Sequence, residues 1–266
     1  MNMNSEREAR GLLRGQASES DMDTSLHVED SPRLGHRGSF KILAFDTSSA
    51  SGSVALMDGE RLLCEWNSGG AGKHSNWLMP AIDGVLKGAG VRLADIDLYA
   101  VDTGPGSFTG LRIGVSTVKG LAWATGRKVV GVSTLEALAL NFRYSRMHVC
   151  PVLDARKGEV YAAIYRYAGN GMEAVMKDSA LSPAALFERL KEVKGPVVFL
   201  GNGLTVYSEE ILKNVSGAVV APAALWPMRA SNIAMLALER APMAVSPAGL
   251  GPLYLRKSEA EIKGGL

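Results

Sequence analysis

The stretch GPGSFTGLRIG, residues 104–114, follows directly on the apolar run LYAV at 98–101. A buried strand ends there, Gly104-Pro105-Gly106 turns the chain, and Ser107 or Thr109 caps the helix that follows. That helix carries Leu111, Ile113, Val115, Val118 and Leu121 towards Gly126. Glycines recur at 106, 110 and 114, so much of one helix face bears no side chain. Each glycine in a helix interior costs about 1 kcal/mol against alanine, which predicts that something approaches this backbone closely. Two partners fit: a phosphate at the helix N-terminus, where free N–H groups favour anions, or a second helix packed tightly. The residues alone leave both open.

Working outwards, residues 41–46 (KILAFD) and 52–57 (GSVALM) read as strands. The turn Asp58-Gly59 is a hairpin signal, and 61–66 is the third strand of a meander. After a glycine-rich loop, KHSNWLMPAIDGVLKGAG places Leu78, Ile82, Val85 and Leu86 on one helical stripe, with Pro80 inside it or in its first turn. Residues 128–132 form another strand, and Ser133-Thr134-Leu135-Glu136 opens a helix to about Phe142 as a capping box. The second half repeats this outline. A strand at 148–153, a turn at 154–159, strands at 160–167 and near 174–177, a helix from Ser182-Pro183, a strand at 196–200 into Gly201-Asn202-Gly203, and helices after it complete the pattern. This is a duplicated α/β layout, with lobes expected at 39–145 and 146–266. Residues 1–38 are polar and aperiodic, and read as a disordered leader or an artefact of start-site choice.

A net charge of +2 over 266 residues gives no warrant for a broad nucleic-acid-binding face, though a local one stays open. The two cysteines, Cys64 and Cys150, sit in apolar runs and read as buried thiols in a reducing cytoplasm. No stretch approaches the ~20 apolar residues of a membrane span.

Asp46-Thr47-Ser48-Ser49, at the end of the first strand, is either a phosphate-cradling turn or a hydroxyl-rich turn satisfying its own backbone. Asp154 occupies the matching place in the second half without the glycines and hydroxyls that wrap a phosphate. A helical metal pair needs imidazoles at i and i+4, but His74 is followed by Leu78, so no metal site is assigned. Ser107 is not a GxSxG elbow, because Thr109 stands where the second glycine would be.

Taken together, FDTSSASGSVAL, KHSNWLMPAI, GPGSFTGLRIGVSTVKGLA, DARKGEVYAA, the GNG turn and PLYLR resemble the TsaB family, also called YeaZ, across residues 40–256. The resemblance implies a two-lobed fold of the actin, sugar kinase and Hsp70 type, built from duplicated ribonuclease H-like domains. It implies a role in bacterial threonylcarbamoylation of adenosine-37 in tRNAs that read ANN codons. There TsaB is the non-catalytic partner of the transferase TsaD, the ATPase TsaE joins the pair, and a TsaC-type enzyme supplies the threonylcarbamoyl adenylate. TsaD carries a metal-binding HxxxH where this chain has only His74. The resemblance favours helix packing over phosphate binding, with His74, Leu78, Ile82, Val85, Leu86, Gly110, Leu111, Gly114 and Val118 expected at the TsaD contact, or at a homodimer contact in its absence. No cofactor is assigned, although weak ATP or ADP binding at the complex interface stays open. The reading of another class is a nucleotide-using enzyme of the same fold, a small-molecule kinase or a metallopeptidase. A kinase would need two competent phosphate turns and a catalytic carboxylate facing a deep cleft.

Overall fold

The computed structural model describes residues 39–70 and 74–256; the expected leader lies outside the described residues, as do the side chains of His74 and Ser75. Two five-stranded sheets dominate. The first comprises β1 (Lys41–Asp46), β2 (Gly52–Asp58), β3 (Arg61–Ser68), β4 (Leu98–Gly104) and β5 (Lys128–Ser133), in the order β3-β2-β1-β4-β5. The second comprises β6 (His148–Arg156), β7 (Glu159–Tyr167), β8 (Met172–Leu181), β9 (Val197–Leu200) and β10 (Ala218–Val220), in the order β10-β9-β6-β7-β8. Read from the other end, the second order is that of the first: two antiparallel hairpins, then two parallel additions. The chain therefore has the duplicated, two-lobed actin, sugar kinase and Hsp70-like fold.

Strand alternation sorts β1 between two cores. Ile42 and Ala44 face a core shared by both sheets, where α3 (Thr134–Ala139) and α6 (Ala230–Glu239) lie. Leu43 and Phe45 face the opposite side, covered by α1 (His74–Ala89) and α2 (Phe108–Thr125). A third core joins the outer face of the second sheet to α4 (Pro183–Leu190) and α5 (Leu204–Asn214).

The helix ends follow their capping chemistry. The Ser107, Ser133 and Ser182 hydroxyls accept from the N–H groups of Gly110, Glu136 and Ala185, and Gly126 ends α2 in the left-handed conformation at φ 68°. Pro80 sits inside α1, not in its first turn. The 154–159 turn is shorter than expected: β6 runs to Arg156 and β7 starts at Glu159, leaving Lys157-Gly158 as a two-residue hairpin loop. After β10 the chain returns to the first sheet. Helix α6 packs on β1 and β2, and Glu65 on β3 holds its start through Arg229 (2.5 Å) and the Ser231 N–H (3.0 Å). Among the described residues no helix is long and apolar enough to cross a membrane.

Candidate functional site

Parallel pairing of β1 with β4 aligns Phe45 with Val101, so the aspartates that follow each, Asp46 and Asp102, come together at the ends of the two strands. Both are fully buried. Asp46 Oδ1 accepts from the Ser48 N–H (2.7 Å) and the Ser48 hydroxyl (2.6 Å). Asp102 Oδ2 accepts from the hydroxyl of Thr134, the first residue of α3 (3.0 Å), and Oδ1 from the Thr47 N–H (3.4 Å). Burial, reinforced by the neighbouring Asp46 charge, raises the Asp102 carboxyl well above the usual carboxylate range. Two neighbouring buried carboxyls disfavour the doubly ionised state.

The turn after β1 is closed by the turn after β4. Ser107 donates its N–H to the Ser48 carbonyl (2.6 Å), and a β-carbon on Gly106 would lie 2.5 Å from that same oxygen. One turn further, the Thr47 hydroxyl donates to the Gly110 carbonyl (2.8 Å), and a β-carbon on Gly114 would lie 2.3 Å from the Thr47 oxygen. Glycine is thus required at 106 and 114 by the chain's own first turn. Of the phosphate-turn candidates, Ser48 bonds Asp46 and Ser49 bonds the Ser51 hydroxyl (2.7 Å), whereas Thr47 bonds outside its own turn, to Asp102 and the Gly110 carbonyl.

A cavity of about 500 Å³ lies between the two sets of strand ends. Ser48, Ser49 and the Pro105–Phe108 turn form one wall; Asp154, Arg156, Lys157, Tyr161 and Asn202 form the other. Asp154 spends Oδ1 on the Arg156 N–H (2.8 Å), and Asn202 accepts the Asp154 N–H (3.1 Å), so the matching turn is also internally bonded. The terminal segment PLYLR spans the mouth. The Leu253 N–H donates to the Thr103 carbonyl (2.8 Å), Tyr254 stacks on Phe108 (4.8 Å between rings), and Arg112 donates to the Tyr254 hydroxyl (3.1 Å). At the far end Arg256 pairs with Glu159 (3.1 Å). Among the described residues, no three His, Cys, Asp or Glu side chains stand close enough to hold a metal.

The expected partner contact needs correction. Leu78, Ile82, Val85, Leu86 and Val118 are buried in the core under the first sheet, with Leu111 and the backbone of Gly110 and Gly114 buried beside them. Their periodicity is that of helix faces covered by the chain's own strands. The faces left open are the reverse ones. On α1 these are Met79, Pro80, Asp83, Gly84, Lys87 and Gly88; on α2 they are Arg112, Ser116, Gly120, Trp123 and Ala124. Trp123 is 74% exposed and Met79 51%. Pro80, Gly84 and Gly88 recur every fourth residue, as do Ser116, Gly120 and Ala124. A β-carbon at Gly84 or Gly120 would meet nothing within 4 Å. A β-carbon at Gly88 would lie 3.5 Å from the Cys64 sulfur, so of the exposed helix glycines Gly84 and Gly120 are the two that no described group of this chain approaches.

A family model described as "TsaD: tRNA N6-adenosine threonylcarbamoyltransferase" matches residues 70–264. The tRNA threonylcarbamoyladenosine biosynthesis protein TsaB of Bacillus subtilis is 36% identical over 224 residues, covering 84% of this chain and 96% of that protein. The chain belongs to the TsaB (YeaZ) family. TsaB of Escherichia coli is 32% identical over 237 residues, covering 83% of this chain and 96% of that protein. The solved structure of YeaZ from Pseudomonas aeruginosa matches with a TM-score of 0.68 at 28% identity, covering 81% of this chain and all of the other.

Sequence reasoning passed over Asp102 and the cationic rim of the cavity. A signal for Asp102 existed: KILAFD and LYAVD are both apolar runs closed by aspartate, and parallel pairing in register brings such ends together. Arg156 and Lys157 belong to a stretch that reads only as a turn, because neither residue type signals left-handed backbone.

Proposed function

We propose that this TsaB-family chain is the non-catalytic partner subunit of a TsaD transferase in tRNA threonylcarbamoylation, docking through the outward faces of α1 and α2, with TsaE joining the pair. The observation that carries the reading is the pair of exposed stripes, Pro80-Gly84-Gly88 and Ser116-Gly120-Ala124, in which Gly84 and Gly120 meet no described group of this chain, flanked by exposed Met79 and Trp123. Glycines exposed in a helix cost stability and return nothing to an isolated chain, whereas they let a second helix approach closer than the usual 8–10 Å between axes. Exposed tryptophan and methionine are residue types enriched where protein surfaces meet. A catalytic role in the cleft has less support, since Asp46 and Asp102 are walled off by the Ser48–Ser107 contact and both turns bond internally.

The test is co-expression of the untagged full chain with tagged TsaD of the same organism, followed by gel filtration. Co-elution as a stoichiometric complex, with threonylcarbamoylation of tRNA dependent on the chain's presence, is the expected result. Full transferase activity by TsaD without it, or separate elution at micromolar concentrations, would contradict the proposal.

A further inference from the structure

The loop joining β6 to β7 is built against its own turn chemistry. Lys157 and Gly158 are the central residues of a two-residue hairpin, at φ 57° and 76°, a conformation in which Asn-Gly is the favoured pair. Arg156 precedes them at φ 64°, where the strand register shifts, a position that favours glycine. Two consecutive long cations thus occupy left-handed backbone that non-glycine residues rarely adopt. The Arg156 side chain is 86% exposed. Among the residues lining the adjoining cavity, Arg156, Lys157 and Arg256 are cationic and Asp154 is acidic; Arg256 pairs with Glu159 (3.1 Å), and Arg156 lies 3.6 Å from Asp154 while its side chain stays open to solvent. Across the mouth, the Arg112 guanidinium lies 3.9 Å over the Phe108 ring, which itself stacks on Tyr254. Cations spaced around flat rings are the means by which proteins hold single-stranded nucleic acid: the cations take phosphates and the rings and guanidinium planes take bases.

We infer that the mouth of this cavity, with the Arg156-Lys157 hairpin on one side and the Arg112–Phe108–Tyr254 stack on the other, is a direct contact site for a single-stranded segment of RNA. This rests on the tRNA-modification reading above and adds to it a contact by this chain itself. The cavity volume of about 500 Å³ is of the size that accommodates small organic ligands, so one nucleotide fits within it. A strand's phosphodiesters carry one charge each and need only cations. A free nucleoside triphosphate is bound with a divalent ion held by carboxylates; Asp46 and Asp102 are buried, and Asp154 already accepts from the Arg156 N–H and faces its guanidinium.

The turn chemistry supplies the test. Arg156→Gly with Lys157→Asn places the favoured residues at these φ values, so the double variant keeps its fold while losing both cations. Binding of a fluorescently labelled single-stranded RNA oligonucleotide to the full chain is read by anisotropy across a salt series. The control is Lys194→Gln with Lys213→Gln, two exposed cations elsewhere that remove the same charge. The wild type and control bind alike, and the turn variant binds at least about tenfold more weakly. Its salt slope falls by about 1.4, since each phosphate contact on a single strand contributes about 0.7. Arg112→Gln, on the opposite rim, weakens binding as well and serves if the turn variant folds poorly. The inference is overturned if the wild type fails to bind at low salt, if control and turn variant lose affinity equally, or if equimolar ATP displaces the RNA, which marks a free-nucleotide site. Co-elution of the turn variant with TsaD separates this contact from the partner interface: RNA binding can fail while the partner reading stands.

Discussion

A β-carbon placed on Gly114 would lie 2.3 Å from the hydroxyl oxygen of Thr47, which is itself committed to the Gly110 carbonyl. The bare backbone in the first half of α2 therefore receives the chain's own first turn, and a substitution there has nowhere to go. Val101 adds a second wall at 3.2 Å. Gly114→Ala is expected to cost about 1–3 kcal/mol as overpacking, and Gly114→Leu more, with loss of soluble protein. Chemical denaturation of the alanine variant checks this; wild-type stability would contradict it.

Gly120 gives the opposite outcome on the same helix. Its β-carbon would meet nothing within 4 Å, so Gly120→Ala in the isolated chain should gain up to about 1 kcal/mol of helix propensity. For a protein of this size that raises the melting temperature by about 2–4 °C. Calorimetry that shows a fall would mean the site is more crowded than its geometry indicates.

The buried carboxylate pair makes stability depend on pH in an unusual direction. Burial and the neighbouring Asp46 charge raise the folded pKa of Asp102 above the unfolded one. The folded state then binds more protons than the unfolded state above about pH 3.9, the free aspartate value. This contribution is complete below that pH and is lost as pH rises through the folded pKa, at a slope of up to about 1.4 kcal/mol per pH unit. Asp102→Asn keeps an acceptor for Thr134 and offers a donor to Asp46. Denaturant melts between pH 4 and 8 should show a flatter profile for the variant and equal or greater stability at the alkaline end. A profile parallel to wild type would show that Asp102 does not titrate as described.

The terminal segment ties the cavity walls together through Leu253, Tyr254 and Arg256. Tyr254→Ala removes the stack on Phe108 and the acceptor of Arg112. Aromatic pairs contribute about 0.5–1.5 kcal/mol beyond area burial, so a drop in melting temperature of about 1–6 °C is expected. An unchanged melt would remove the segment from the account of stability.

Much of the fold was legible in the sequence, because alternation and capping are local. KILAFD, the Ser133 and Ser182 caps and the Gly126 terminus all fell where their chemistry put them. The three-residue strand β10 was too short to show a period. The partner face failed for a different reason. The stripe Leu78, Ile82, Val85 and Leu86 states that one face of α1 is buried, but periodicity does not name what buries it, and the chain's own sheet does. Gly110 and Gly114 follow the same rule: bare backbone states that some group approaches closely without naming it, and that group is Thr47. Asp102 and Thr134 are 32 positions apart, and no local pattern joins them.

The docking of TsaD on the outer faces of α1 and α2 is tested most directly by titrating TsaD with wild-type chain and Gly120→Leu in a calorimeter. The variant should fold as well as wild type, because its side chain points into open space. It should bind TsaD roughly 5- to 100-fold more weakly, the equivalent of about 1–3 kcal/mol of overpacking at a close helix contact. Affinity unchanged by a leucine at position 120 would contradict the account.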